Sequence, residues 1–230
     1  MASKSVVSGN ALIGQSGGPT AVINESLVGA VLALRTMKGV KKIYGMRHGV
    51  NGLVKEPAEM VDLSRTSAES LKLIANTPSA GLGSSRDKPD AAYCDRILQS
   101  CKRLKARWFF YIGGNDSSDT CRIVSELAIQ SGYDLRCFHI PKTIDNDLMG
   151  SDHCPGFGSA ARFLAMAFMA DSMDNASLPG VKINVVMGRN AGFLTAAAAL
   201  AKVGGGKQSD KFADRNGPHL IYVPEVHFNG

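Results

Sequence analysis

The sequence predicts an α/β fold with a largely parallel sheet, on three observations. Short apolar runs alternate with segments of helical spacing along the chain. Each run ends in a glycine-rich or polar turn, and no fixed-period repeat or low-complexity tract interrupts the alternation. In such folds ligands bind beyond the carboxyl ends of the strands, so the polar turns are where function is sought.

Taken in chain order, ALIG (11–14) reads as a strand leading through QSGGPT into AVINESLVGAVLALRTMKG, an amphipathic helix with Pro19 near its entry and Gly39 past its end. ARWFFYI (106–112) leads through GGNDSSD into the helical TCRIVSELAIQSG, closed at Gly132. LRCFHI (135–140) is a third strand and runs into PKTIDND. VKINVVM (181–187) is a fourth, followed by GRNAG and the alanine-rich FLTAAAALAKVGGG, and HLIYVPEV is a last strand-like run near the end. Glycines and a proline in MGSDHCPGFGS break the pattern before the helical AARFLAMAFMADSMDNA, which sets a boundary between lobes 1–157 and 158–230.

Composition narrows the function classes. With 230 residues, 44% of them hydrophobic, the chain buries a substantial core and lies at the border between one domain and two. It has no run of about 18 apolar residues and no basic, apolar leader, which predicts a soluble, intracellular, cytoplasmic protein. Five cysteines without a CxxC pair read as free thiols, and the five histidines form no HExxH pattern. The net charge of +6 comes from short, scattered clusters such as Lys41-Lys42 and Lys102-Arg103, and no nucleic-acid-binding signature accompanies them. Neither nucleic acid nor membrane is expected as a partner.

The glycine turns SGGPT (16–20) and GGNDS (113–117) suit phosphate binding, because backbone N–H groups there can approach an anion closely. A tight turn that needs positive φ explains either one equally well. Neither is a GxxxxGK[ST] or GxGxxG motif, and the missing GxGxxG argues against a dinucleotide-dependent oxidoreductase. GGGK (204–207) follows a helix and reads as a flexible cap. If the chain stays extended after Pro141, Thr143, Asp145 and Asp147 share one face of PKTIDND while Lys142 points the other way. The alternative is an Asx-rich turn or helix cap. Phosphoryl transfer to an alcohol would use the whole cluster: it needs a base, a divalent metal and cations around the transferring oxygens. Lys142, Asp145, Asp147, Asp116 and Arg189 could supply them.

SGGPTAVIN, GGNDS, PKTIDND, MGRNAGF and VPE together, in this order and spacing, resemble the phosphofructokinase family over nearly the whole chain. The resemblance implies two three-layer α/β/α lobes with largely parallel sheets bracketing the site: donor-binding over 1–157, and the start of a sugar-phosphate-binding lobe over 158–230. It implies that Asp145 is the base for the 1-hydroxyl of fructose 6-phosphate, with Thr143 and Ile144 beside it. Met187, Gly188, Arg189 and Glu225 are implied as sugar-phosphate contacts, Arg189 also stabilising charge. Gly18, Arg86 and Ser117 are implied on the donor-phosphate side. Mg²⁺ is the implied cofactor, held by Asp116, Asn115 or Asp147; Asn115 stands where the family often has an aspartate. A homodimer or homotetramer is implied as well.

Two positions bear on the donor. ATP-dependent members commonly have GGDGS and a glycine before TID, where this chain has Asp116 and Lys142. That pair resembles the pyrophosphate-dependent branch: the aspartate fills and repels the space of a nucleotide's α-phosphate, and the lysine steadies pyrophosphate. The remaining readings are an ATP-dependent member and a non-catalytic regulatory or sugar-phosphate-binding subunit on the same fold. Family chains continue well past VPE, so the resemblance further implies that these residues are the N-terminal part of a longer protein, poorly active as a piece.

Overall fold

The structure is a computed structural model that describes residues 7–178, 180–202 and 217–227. Contacts divide the chain into two compact units, Met1–Lys142 and Thr143–Gly230. The expected lobe boundary at 157 thus lies within the second unit.

The first unit is a doubly wound sheet. Strands β1 (Gly9–Gln15), β2 (Val40–Met46), β3 (Met60–Asp62), β4 (Ala106–Gly113) and β5 (Arg136–Pro141) lie in the order β3-β2-β1-β4-β5. All pairings are parallel except β2 with β3. The two-residue period of a strand sends alternate side chains to opposite faces. In β1, Leu12 faces one core and Ala11 and Ile13 the other; in β4, Phe109 and Tyr111 oppose Trp108 and Ile112.

Helices cover both faces. Helix α1 (Ile23–Thr36) places Ile23, Leu27, Val28, Val31 and Leu34 on one stripe, and Glu25 in its first turn and Arg35 in its last complement the helix dipole. Helix α3 (Ala68–Asn76) packs on the same side through Leu71 and is capped by Ser67, whose Oγ accepts from the Ser70 amide at 3.0 Å. The other side carries the short α2 (Val50–Leu53), then α4 (Ala91–Arg103) and α5 (Asn115–Gln130). Asp90 caps α4 by accepting from the Tyr93 amide at 2.8 Å. Residues 40–105, for which the sequence pattern names no element, therefore hold two strands and three helices.

The second unit contains α6 (Phe157–Ser177), α7 (Phe193–Ala196) and a 3-10 turn over Ala197–Lys202. Its core is small: Ala161, Leu194 and Ala197, with Ile144, Phe157, Leu164 and Val186 against them. The strands expected at 181–187 and 219–226 do not form among the described residues. A strand needs a neighbour to complete its ladder, and no described segment pairs with either. The alternation survives even so. Val181, Ile183 and Val185 are exposed, while Lys182 reaches Asp171 (3.0 Å) and Asp174, and Asn184 donates to Asp171 at 2.9 Å. The GGGK stretch (204–207) lies outside the described residues.

Candidate active site

In the order β3-β2-β1-β4-β5 the chain leaves β1 toward β2 on one side and later returns to β4 on the other. Connections diverge there, which opens a crevice at the carboxyl ends of β1 and β4. The two glycine turns enter this crevice. Ser16-Gly17-Gly18 follows β1, and Gly113-Gly114 precedes Asn115, the first residue of α5. The Ser16 amide donates to the Ile112 carbonyl at 2.9 Å, and the Ser16 and Ser117 hydroxyls share a 2.6 Å hydrogen bond. A Cβ at Gly113 would strike Ser117 Oγ, so glycine is what permits this approach.

Asn115, Asp116 and Ser117 therefore occupy the first turn of α5 and not a loop before a later helix, as the sequence pattern suggested. Ser117 is buried, whereas Asn115 and Asp116 are exposed. A carboxylate at this end of a helix is favoured by the dipole. Asp116 Oδ2 also lies 3.3 Å from Lys88 Nζ.

A third wall is built by residues 77–88. Buried Gln15 accepts from the Leu82 amide (2.9 Å) and donates to Asn24 (2.8 Å), and Asn24 in turn accepts from the Gly81 amide (2.8 Å) and donates to the Thr77 carbonyl (2.9 Å). The next residues clasp the first glycine turn: the Gly17 amide donates to the Ser85 carbonyl at 2.8 Å, and Ser84 Oγ donates to the Gly17 carbonyl at 2.5 Å. Gly17 has φ of +75°, which a side chain would strain. Arg86 then lies over Gly18, with Nη2 3.5 Å from where a Cβ would sit. Asp87 anchors the segment from below, accepting from Tyr93 Oη at 2.7 Å and Asn51 Nδ2 at 3.3 Å. Burial works to raise the Asp87 carboxyl, but its hydrogen bonds with Tyr93, Ser85 and Asn51 prevail and hold it below the usual range.

Lys142 closes the crevice from the end of β5. Its amide donates to the Gly113 carbonyl at 2.9 Å, and its ammonium donates to the Gly18 carbonyl at 2.6 Å. At 4% exposure such a charge requires hydrogen bonds, and this one ties the two glycine turns together. His139 Nε2 also bonds the Gly113 carbonyl at 2.8 Å; burial lowers the imidazole pKa.

Past Lys142, in the second unit, the rest of PKTIDND does not stay extended. It bends at Ile144-Asp145, and Asn146 has φ of +57°. Asparagine tolerates this left-handed geometry, and its side chain holds the turn shut: Oδ1 accepts from the Cys154 amide at 2.8 Å and Nδ2 donates to the Asp152 carbonyl at 3.0 Å. Thr143 is still brought to both aspartates, because its Oγ1 accepts from the Asp145 amide (3.1 Å) and donates to Asp147 (3.3 Å). Ile144 turns into the small core.

The MGR segment meets this turn at Gly188, where φ is +112° and a Cβ would lie 3.9 Å from Asp145 Oδ1. Arg189 is exposed beside it. Glu225 holds the entry of α7, accepting from the Gly192 amide at 2.6 Å. Met187 and Ile144 line an apolar cleft of about 430 Å³ with Phe163, Leu164 and Val186. Such a lining suits neither a sugar nor a phosphate, and its one carboxylate, Asp171, is held by Lys182 and Asn184.

Sequence reasoning missed Lys88, Asp87 and the Gln15–Asn24 network. The charged run RDK after GSS was the available signal for the first two; buried amides leave none. Four of the free cysteines, Cys94, Cys101, Cys121 and Cys154, are buried and Cys137 is partly so; burial pushes the Cys94 thiol up to about 11 and the Cys137 thiol up to about 12, and raises those of Cys101 and Cys121 too. They have the character of structural thiols. Among the described residues no group of three or more histidine, cysteine or carboxylate side chains could enclose a metal. No described helix is long and apolar enough to cross a membrane.

A doubly wound sheet with two glycine turns, a buried lysine and an arginine at its switch point is an arrangement whose chemistry suits an anionic ligand. The chain belongs to the phosphofructokinase family, which it matches over residues 10–230. It is 56% identical over 96% of its length to a pyrophosphate–fructose 6-phosphate 1-phosphotransferase of Rhodospirillum rubrum, covering 52% of that protein. It is 32% identical over 92% of its length to an ATP-dependent 6-phosphofructokinase of Amycolatopsis methanolica, covering 42% of it. Among solved structures, the pyrophosphate-dependent phosphofructokinase of Marinobacter aquaeolei superposes with a TM-score of 0.79 at 38% identity, over 96% of this chain and 54% of that one. The chain thus spans about half the length of the curated relatives it matches.

Proposed function

We propose that the full-length protein reversibly transfers a phosphoryl group from pyrophosphate to the 1-hydroxyl of fructose 6-phosphate. The observation that carries the donor assignment is the pairing of Asp116, on the first turn of α5, with Lys142, buried against Gly18. A carboxylate there adds bulk and negative charge where a nucleotide's α-phosphate would enter, while pyrophosphate needs no such space. The ammonium of Lys142 and the guanidinium of Arg86 favour a small, highly charged anion, and Gly18 and Ser117 shape its seat.

On the acceptor side Asp145 takes the proton from the sugar 1-hydroxyl, since a positioned carboxylate is the base such a transfer needs. Thr143 fixes the turn that presents Asp145 and Asp147. Arg189 steadies charge on the transferring oxygens, and Met187, Gly188 and Glu225 contribute to holding the sugar phosphate. In the reverse direction Asp145 returns the proton to the leaving alkoxide.

We propose magnesium as the cofactor, since a transferring phosphate carries most of its ligands and asks few of the protein. The ion is commonly bound by one or two carboxylates plus phosphate oxygens and water, without an all-protein cage, and Asp116 or Asn115 on α5, or Asp147 in the second unit's turn, would hold it in that way. When bound, it neutralises charge on the phosphates. We further propose a cytoplasmic homodimer or homotetramer, to be checked by light scattering on the full-length protein.

The test is a side-by-side assay of the full-length protein with pyrophosphate and with ATP, in the presence of magnesium and fructose 6-phosphate. Turnover with pyrophosphate well above that with ATP is expected. Preference for ATP would overturn the donor assignment, and no turnover with either would favour a regulatory or sugar-phosphate-binding subunit.

A further inference from the structure

Lys88 is a charge that the reading above leaves unassigned, 3.3 Å from the Asp116 carboxylate. It follows Arg86 and Asp87 in a segment with little freedom: Ser84 and Ser85 clasp Gly17, and Asp87 is anchored on Tyr93 of α4 and Asn51 of α2. From this fixed base Arg86 lies over Gly18, and Lys88 reaches 3.3 Å from the Asp116 carboxylate. Both partners of the pair are more than half exposed, at 67% and 59%. Ion pairs so exposed add little to stability, so fold maintenance gives no reason for this one.

A reason appears at the site. Asp116 stands on the first turn of α5 beside the glycine turns proposed above to seat the donor phosphates, and an unscreened carboxylate there would repel pyrophosphate as well as a nucleotide. A cation at 3.3 Å offsets part of that charge and restrains the carboxylate, so that its bulk and remaining charge weigh more on the larger donor than on pyrophosphate.

We propose that Lys88 is a positioning residue for Asp116 and a second determinant of donor choice. The inference rests on the pyrophosphate reading above. Two consequences separate it from a structural role. Loss of the ammonium should weaken pyrophosphate without touching the chemical step, and the loss should depend on Asp116 being present.

The experiment compares wild type, Lys88→Met, Lys88→Arg, Asp116→Gly and the Lys88→Met/Asp116→Gly pair in the full-length protein, with KM and kcat measured for pyrophosphate and fructose 6-phosphate. Lys88→Met is expected to raise the pyrophosphate KM about fivefold to tenfold, the sugar-phosphate KM and kcat staying near wild type, with Lys88→Arg restoring most of the loss. In the Asp116→Gly background the same substitution should change the pyrophosphate KM less than about twofold, the signature of coupled neighbours. An unchanged pyrophosphate KM in Lys88→Met, or equal effects in both backgrounds, would overturn the assignment of Lys88 while leaving the donor reading standing. A wild type that does not turn over pyrophosphate would overturn both.

Discussion

The Lys142 ammonium donates to the Gly18 carbonyl at 2.6 Å, so the residue just past β5 holds the loop that leaves β1, reaching past the intervening β4. A side chain at 4% exposure that spans the crevice in this way fixes the spacing of the two glycine turns before any ligand arrives.

Replacing it tests that relationship. Lys142→Met keeps the apolar stem but leaves the Gly18 carbonyl without this charged donor, a loss of about 1.5–3 kcal/mol for a charge-assisted bond. Urea unfolding of the full-length protein should show a lower midpoint, and the pyrophosphate KM should rise. Lys142→Arg is not expected to restore either property, because a planar guanidinium does not fit the space of a buried ammonium. A midpoint and KM both at wild-type values would show that the glycine turns hold themselves.

Much of this crevice was legible in the sequence, because its parts are local. ALIG and ARWFFYI announce buried strands, and the glycines after them announce turns. Pairing is not local, and there the reading failed in both directions. VKINVVM has the composition of a strand, yet no described segment offers it a ladder, while VKKIYGM, with two lysines, becomes β2 because β1 lies beside it. PKTIDND shows the same limit on a smaller scale. Its alternation suggested an extended face, but Asn146 reaches Asp152 and Cys154, residues whose proximity only the closed turn reveals. Asp116 could be singled out by its motif; its partner Lys88 lies 28 residues earlier and is brought to it by the clasp on Gly17.

Asn146 supplies a second test. Its side chain satisfies a buried amide and a carbonyl, and its backbone sits at φ +57°, so Asn146→Ala loses both hydrogen bonds and adds left-handed strain. Destabilisation of about 2–4 kcal/mol is expected, with loss of turnover through disorder of Asp145 and Asp147. Asn146→Gly removes the strain and should be milder in unfolding experiments, yet still poorly active. Equal activity of Asn146→Gly and wild type would show that the side-chain bonds do not position the turn.

His139 gives the protein a dependence on pH. Its pKa is lowered from the ordinary 6.5 by burial, despite opposing hydrogen bonds with the Gly113 and Gly114 backbone. The folded state therefore favours the neutral ring. Below pH 6.5 the unfolded chain takes up a proton that the folded chain does not, so this contribution is complete above 6.5 and is lost as pH falls toward the lowered value. Unfolding free energy should decline as pH falls below about 6.5, by no more than about 1.4 kcal/mol per unit from this group. His139→Gln, which can still bond the Gly113 carbonyl but does not titrate, should flatten the decline. A slope identical to wild type would remove His139 as its source.

Asp145 is the strongest test of the chemistry. Asp145→Asn preserves shape and leaves an oxygen to accept hydrogen bonds, but an amide cannot take the proton of the sugar hydroxyl. If Asp145 is the base, kcat should fall about 10²–10⁴-fold with the sugar-phosphate KM nearly unchanged, since the loss is felt in the transition state and not in ground-state binding. The same loss should appear in the reverse direction, because the group that accepts the proton going forward must return it going back. A raised sugar-phosphate KM with kcat preserved would make Asp145 a binding residue instead. In that event its closeness to Gly188 would mean that the TID turn and the MGR segment form a sugar-phosphate seat, and the base would have to be sought in Asp147, which Thr143 holds at 3.3 Å in the same turn.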